Sequence, residues 1–231
     1  MTGLDKEIKA VIFDLDGTLY NQSKLRKLML KEILLYFAFR PHKIRDLRII
    51  STFRKLREKN FDKPTDNLQE DEYLWTAEAV GCDQQSVRRT IEEWIYNRPL
   101  KYMLECRQTG LADFMDFLQS KSFKTGVFSD YPAQTKLQAL NLKVQHIVCA
   151  TDKDVNQLKP DPKGLQLICQ RMGESPQTCL FIGDRMERDG ECAQRLGMPF
   201  LILNKEKSQE NHFFRDYAEL MELFKETFDQ K

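Results

Sequence analysis

Five short and nearly continuous apolar runs, several of them rich in β-branched residues, stand out along the chain. They lie at 8–13, 125–128, 147–150, 179–182 and 199–203. Strands that are buried on both faces have this pattern, because neither side of the strand meets water. Helical patterns separate the later runs, and strands that alternate with helices predict a parallel sheet with right-handed crossovers. The pattern therefore predicts a doubly wound α/β fold.

The interval between the first and second runs has a different pattern. Residues 20–99 show helical periodicity and no convincing strand, and four helices are predicted at 23–39, 42–59, 71–80 and 86–96. The chain is thus predicted to form one strand, leave the sheet for a helical module and return near residues 100–110. We expect a core made of 1–19 and 100–231, with 20–99 as an inserted helical domain.

Composition narrows the class of protein. The 231 residues are 41% hydrophobic and 31% charged, which is typical of a soluble globular chain. The formal net charge of +1 does not favour a polyanionic partner, so no nucleic acid is expected. No apolar run is long enough for a transmembrane segment, and the first residues lack the layout of a signal peptide. We therefore expect a cytoplasmic protein.

Polar residues follow four of the five apolar runs, at the points where the strands should end. They are Asp14, Asp16, Gly17 and Thr18 after the first run, Ser129 and Asp130 after the second, Lys159 in the loop after the third, and Asp184 and Asp189 after the fourth. Ligands of open α/β sheets bind beyond the carboxyl ends of the strands, so these groups should meet in one crevice. The set offers a nucleophile, an acid or base, a site for a hard cation and positive charge, which suits phosphoryl transfer.

The four motifs DLDGT, SD, KPDP and GDR-x-x-x-D, in this order, resemble those of the haloacid dehalogenase superfamily. The resemblance extends over essentially the whole chain. Within the superfamily, the chain resembles the phosphoglycolate phosphatase-like branch, which has a helical (C1) cap. It implies a Rossmann-like catalytic core, with the inserted helices as a cap that closes over the substrate. It also implies a phosphoric monoester hydrolase that uses Mg²⁺ and acts on a small-molecule phosphate ester.

The resemblance gives each catalytic residue a role. Asp14 would be the nucleophile that forms an aspartyl-phosphate, and Asp16 would be the general acid and base. Lys159 would offset the charge of Asp14 and of the transferred group. The Asp14 carboxylate, the Asp16 carbonyl and Asp184 would hold Mg²⁺, while Asp189 would act through a water or by orienting Lys159.

The resemblance also implies a phosphate-binding set. Gly17 permits the close turn that brings the backbone to the phosphoryl group. The Thr18 hydroxyl steadies this loop. Ser129 and the backbone N–H of Asp130 would hold phosphoryl oxygens. Asp161, in the KPDP motif, is better explained as a helix cap.

The reaction itself stays open at this level. Asp16 favours phosphate esters, because dehalogenases and phosphonate-cleaving members of the superfamily lack the second aspartate. A sugar phosphomutase of the same superfamily is one alternative. A catalytically idle regulatory or binding protein is another, since fold alone does not determine function.

Residues 24–59 are notably basic and also contain an apolar helix at 23–39. The basic residues are most simply solvated helix faces, although they could steer an anionic substrate. The apolar helix is most simply part of the core. It could instead line a pocket for a hydrophobic phosphate ester, form a dimer interface or rest on a membrane.

Overall fold

The computed structural model describes residues 7–40, 43–206 and 212–228. Six parallel strands form one sheet in the order β3-β2-β1-β4-β5-β6. The strands are β1 (Ala10–Phe13), β2 (Lys124–Ser129), β3 (His146–Cys149), β4 (Cys179–Gly183), β5 (Phe200–Leu203) and β6 (Phe213–Phe214). The predicted parallel α/β fold is confirmed, and β1 lies between β2 and β4 at the centre of the sheet.

Helices cover the sheet and fill the interval between β1 and β2. Within the described residues they are α1 (Gln22–Ala38), α2 (Ile44–Lys59), α3 (Leu68–Val80), α4 (Gln84–Ile91), α5 (Met103–Cys106), α6 (Leu111–Ser120), α7 (Gln134–Ala139), α8 (Lys163–Met172), α9 (Glu191–Gln194) and α10 (Tyr217–Phe228). Side-chain oxygens of Asn21, Asn67 and Asp83 accept a backbone N–H in the first turns of α1, α3 and α4, which stabilises these helix starts.

The inserted helices differ from the prediction mainly at their ends. The helix predicted at 86–96 ends earlier, at Ile91, and continues as a π-helical turn (Glu92–Asn97) and a 3₁₀ turn (Arg98–Tyr102). The buried residues Val87, Ile91, Trp94 and Ile95 keep helical spacing across this change, so periodicity does not reveal it. The helix predicted at 42–59 begins at Ile44, and His42 lies outside the described residues.

Two C-terminal elements, β6 and α10, are absent from the predicted set. β6 has only two residues, too few for an alternating pattern. The helix α10 does carry a helical signal, because Tyr217, Leu220 and Phe224 repeat at helical spacing and are all buried.

The central strand β1 is buried on both faces. Val11 and Phe13 belong to the apolar cluster on one side of the sheet, and Ala10 and Ile12 belong to the cluster on the other. The Phe13 ring packs edge-on against Phe114 of α6, with 6.3 Å between the ring centroids. This packing fixes the carboxyl end of β1, from which the DLDGT segment follows.

The chain leaves the core and returns to it at neighbouring points. Tyr20 and Arg107 form an isolated antiparallel bridge. The backbone N–H of Asn21 donates to the carbonyl of Cys106 at 2.8 Å, and that of Gln108 donates to the carbonyl of Leu19 at 3.1 Å. The division into a core and an inserted domain at 19/20 and 99/100 stays a prediction. No helix in the described part of the chain has both the length and the apolar character needed to cross a membrane.

Candidate active site

Asp14 lies directly after β1 and is almost completely buried. Its Oδ1 accepts a hydrogen bond from Lys159 Nζ, and its Oδ2 accepts one from the Thr18 hydroxyl at 2.9 Å. Burial raises the pKa of Asp14 well above its ordinary value, although Lys159 opposes the shift. Both carboxylate oxygens are therefore held in a fixed orientation, and the Thr18 hydroxyl contacts Asp14 itself.

Lys159 links two carboxylates that follow different strands. Its Nζ lies 2.7 Å from Asp189 Oδ1 and also contacts Asp14. Burial lowers the pKa of Lys159, but Asp14 and Asp189 outweigh that effect and raise it well above its ordinary value. Asp189 Oδ2 accepts the backbone N–H groups of Asp184 and Arg185, at 3.2 and 3.0 Å. Asp189 thus orients both Lys159 and the loop after β4.

Three carboxylates form a cluster that suits a divalent cation. Oxygens of Asp14, Asp184 and Asp189 all lie within 4.8 Å of one another. Burial and the nearby charge of Asp189 raise the pKa of Asp184 to about 7. Lys159 pairs with Asp14 and Asp189 and leaves Asp184 without an ion-pair partner among the described residues. Excess buried negative charge of this kind is costly, and carboxylate oxygens are ligands that Mg²⁺ prefers, so the donor set fits the ion.

The turn after β1 brings the backbone against this cluster. Gly17 has a φ of +107°, and a Cβ at this position would lie 2.0 Å from Asp184 Oδ2. Any other residue would therefore displace Asp184 as well as strain the backbone. The hydroxyl of Tyr217, on α10, donates to the carbonyl of Thr18 at 3.1 Å and holds the far end of the turn.

Asp16 has two partners that were absent from the predicted site. Lys136 Nζ and the Tyr20 hydroxyl both donate to Asp16 Oδ1 at 2.5 Å, while Oδ2 is buried and has no hydrogen-bond partner among the described residues. Burial raises the pKa of Asp16, but the charge and hydrogen bond of Lys136 outweigh it and lower the pKa below its ordinary value. Both partners follow closely on motifs in the sequence, since Tyr20 comes two residues after Thr18 and Lys136 lies on the first helix after Ser129.

The SD motif lies at the end of β2, beside the nucleophile loop. Ser129 is fully buried, and its Oγ accepts the backbone N–H of Tyr131 at 3.2 Å. The Asp130 carboxylate accepts the backbone N–H of Lys159 at 3.1 Å. Asp130 therefore positions the Lys159 loop, whereas the phosphoryl contact of its own N–H stays a prediction.

Arg57 of α2 connects the inserted helices to the SD motif. Its guanidinium donates to Glu72 on α3 and to the carbonyl of Asp130, and it lies 4.0 Å from the centroid of the Tyr131 ring. Arg57 is 5% exposed and Glu72 is 2% exposed. Arg57 thus differs from the solvated helix faces predicted for the basic region 24–59. It forms a buried ion pair and holds the loop that carries Asp130.

A second ion-pair group joins α2 to the loop after β4. Glu58 lies 3.2 Å from Arg185 and 2.8 Å from Arg188. The two arginines line the same cavity as Asp14, and Glu58 neutralises them there.

A family model described as haloacid dehalogenase-like hydrolase matches residues 8–197. Because this match spans most of the chain, the chain belongs to the haloacid dehalogenase-like hydrolases, as its motifs predicted.

Curated relatives carry names of phosphatases. The chain is 34% identical over 92 residues to a phosphoglycolate phosphatase of Escherichia coli (strain K12), which is 38% of this chain and 36% of that protein. It is 24% identical over 206 residues to a glyceraldehyde 3-phosphate phosphatase of Methanopyrus kandleri, which is 88% and 87% of the two chains. The match to the phosphoglycolate phosphatases therefore spans only about a third of their length.

Solved structures share the fold. A 2-haloacid dehalogenase from Pseudomonas syringae has a TM-score of 0.62 at 19% identity, with 95% of this chain and 99% of that chain covered. A β-phosphoglucomutase from Clostridium difficile has a TM-score of 0.60 at 18% identity, with 96% and 98% covered. Dehalogenase and mutase therefore share one architecture with this chain, and only the residues of the site can separate their reactions.

Proposed function

We propose that the chain is a Mg²⁺-dependent phosphatase that hydrolyses a small phosphate monoester through an aspartyl-phosphate intermediate on Asp14. The observation that carries the proposal is the largely buried carboxylate cluster, in which Lys159 and Thr18 orient Asp14 beside Asp184 and Asp189. An oriented carboxylate next to a cation site is what in-line attack on a phosphoryl group requires.

The reaction would take place in two steps at phosphorus. In the first, an oxygen of Asp14 forms a bond to phosphorus, the bond to the ester oxygen breaks, and Asp16 gives its proton to the leaving alkoxide. In the second, Asp16 takes a proton from a water that attacks phosphorus, and the Asp14 carboxylate leaves with phosphate released. Lys159 offsets the negative charge throughout. A Mg²⁺ ion bound by the cluster would supply positive charge for the phosphoryl oxygens.

The contact between Lys136 and Asp16 supports the second step directly. It favours the ionised form of Asp16, which is the form that accepts a proton. The first step requires the protonated form. Asp16 must therefore exchange its contact with Lys136 for a proton when the substrate binds.

The predicted cap also belongs to this proposal. Residues 20–99 would close the site and exclude water, and residues 1–19 and 100–231 would form the catalytic core. The bridge between Tyr20 and Arg107 supports this division, because the chain leaves and re-enters the core at one place. The cytoplasm is the proposed location.

Release of phosphate from p-nitrophenyl phosphate and from a panel of small phosphate monoesters tests the proposal. We expect turnover with Mg²⁺, loss of turnover with a chelator and recovery when Mg²⁺ is restored. Transfer of the phosphoryl group to a sugar hydroxyl in place of water would indicate a mutase. Absence of reaction with every ester in the presence of Mg²⁺ would refute the proposed enzymatic activity.

We expect Thr18→Val to lower kcat about tenfold. The substitution keeps the shape of the side chain but removes the hydrogen bond to Asp14 Oδ2, so the nucleophile is no longer held from both sides. A hydrogen bond to a charged group contributes about 1.5–3 kcal/mol, and about 1.4 kcal/mol corresponds to a factor of ten.

Thr90→Val is the matched control, because this threonine is also buried and its hydroxyl donates to the carbonyl of Ser86 on α4. It should leave kcat unchanged. Equal effects of the two substitutions on kcat would mean that Thr18 does not act through Asp14.

A further inference from the structure

The carboxylate cluster lines part of a large cavity. The cavity has a volume of about 740 Å³ and is lined by residues of both the sheet loops and the inserted helices. Pockets of roughly 300–1,000 Å³ enclose ligands of drug size. A leaving group of two or three carbons would therefore fill only a small part of it.

Much of the wall formed by the inserted helices is apolar. α1 contributes Leu25, Met29 and Ile33 beside the polar Gln22 and Arg26, and the turns between α4 and α5 contribute Trp94 and Ile95. An apolar wall offers water few hydrogen bonds, so displacing water with an apolar group is favourable. The polar groups of a sugar or of glycerol would find few partners along this apolar part of the wall.

Most charges in the cavity are already neutralised by other protein groups. Glu58 pairs with Arg185 and Arg188, and Lys136 pairs with Asp16. Arg26 of α1 and Arg54 of α2 are different, because both line the cavity and neither forms an ion pair with the described part of the chain; Arg26 donates only to the side chain of Gln22. Both arginines are also exposed to solvent, so hydration can satisfy their charges without a second anionic group on the substrate.

We propose that the physiological ester carries an apolar alkyl or aryl leaving group, which occupies the space between α1 and the Trp94 turn. This inference rests on the proposed phosphatase function and names its substrate class. The phosphoryl group lies at Asp14, and the apolar body extends along the wall formed by α1. Binding energy from the apolar body then holds the phosphoryl group in place for attack.

A series of unbranched alkyl phosphates, from ethyl to octyl, tests the inference. We expect kcat/KM to rise about three- to fourfold for each added methylene until the cavity is filled. Each ester is compared with a partner of the same length that ends in a carboxylate, and the partner should react more slowly. A kcat/KM that is flat or falls with length would overturn the inference. Preference for the carboxylate would also overturn it, because Arg26 or Arg54 would then bind a second anionic group of the substrate.

Substitutions on α1 locate the effect. Leu30 and Ile33 line the cavity, and Leu34 on the same helix does not. Leu30→Asn and Ile33→Asn should reduce the dependence on chain length, whereas Leu34→Asn should leave it unchanged. Leu30 and Leu34 are 55% and 62% exposed, so their replacement does not threaten folding. If the dependence of kcat/KM on chain length changes equally in all three variants, the apolar group does not bind along this face of α1.

Binding without turnover separates this inference from the proposed function. Alkylphosphonates have a P–C bond in place of the ester bond, and their binding can be followed by the fluorescence of Trp94 in a Trp75→Phe protein, because the chain has two tryptophans. We expect the dissociation constant to fall with chain length. If the esters are hydrolysed but neither kcat/KM nor phosphonate binding depends on chain length, the inference is refuted and the proposed phosphatase activity stands. Length-dependent phosphonate binding without any ester hydrolysis would refute the phosphatase and keep the apolar pocket.

Discussion

Asp14→Asn should abolish phosphate release and leave the fold intact. The amide has the shape of the carboxylate but is not a competent nucleophile, so kcat should fall by about 10⁴-fold or more. Stability should be unchanged or slightly higher, because the substitution removes a buried charge next to Asp184 and Asp189. Lys159 keeps Asp189 as its partner in the variant.

Phosphate release and thermal unfolding are measured on Asp14→Asn and on Asp161→Asn. Asp161 also follows a strand and belongs to the KPDP motif, but its carboxylate accepts the backbone N–H of Lys163 at the start of α8. The Asp161 variant should keep its turnover. Comparable turnover in the two variants would show that Asp14 is not the nucleophile. Loss of folding in the Asp14 variant would show that the carboxylate has a structural role.

Arg57→Met should be among the most destabilising single substitutions in the chain. It leaves the buried carboxyl of Glu72 without its partner and removes the donor to the Asp130 carbonyl. Loss of one member of a buried pair costs about 3–5 kcal/mol. Replacing both residues, Arg57→Met with Glu72→Met, should restore most of that loss, because no unpaired charge then remains.

The pH dependence of this variant follows from Glu72. Burial raises the pKa of Glu72 to about 7 from its ordinary value of 4.5, against the opposing charge of Arg57. An acid with a raised pKa in the folded state stabilises the fold fully at pH values below 4.5, and this contribution is lost as the pH rises through about 7. Without Arg57 the pKa of Glu72 rises further, so the stability of the variant continues to fall at pH values above about 7. The deficit of Arg57→Met relative to the unsubstituted protein should therefore grow above about pH 7.

Denaturant unfolding at several pH values checks this prediction, with Arg88→Met as the matched control. Arg88 pairs with Glu70 on α3, but both side chains are partly exposed, at 38% and 42%. Exposed pairs contribute about 0–1 kcal/mol, so this control should lose little. A similar cost for the two arginines, or no recovery in the double variant, would contradict the role of the buried pair.

The sequence was sufficient to predict how the strands bring the motifs together. Asp14, Ser129 and Asp184 end or follow β1, β2 and β4, which are neighbours in a parallel sheet. Strands that are buried on both faces can be recognised in the sequence as continuous apolar runs, and parallel strands place their carboxyl ends at one edge of the sheet. Contacts of the motif residues with one another could therefore be expected before the structure was known.

Contacts made by the helices could not be predicted in the same way. Arg57 looks like the other basic residues of 24–59, and only the packing of α2 against α3 and Tyr131 buries it. Lys136 reaches Asp16 because α7 follows β2 closely, and a helical pattern does not show where such a side chain points. Periodicity indicates which face of a helix is apolar, whereas the partner of a single charged residue depends on three-dimensional packing.

The hydroxyl of Tyr217 ties the last helix to the turn that carries the nucleophile. The family match ends at residue 197, before β5, β6 and α10. A fragment trimmed to that match would keep all four motifs, yet it would lose the group that holds the Thr18 carbonyl and the Tyr217 ring that packs near Phe114. The stretch of chain that identifies this protein is therefore shorter than the stretch that keeps its nucleophile in place.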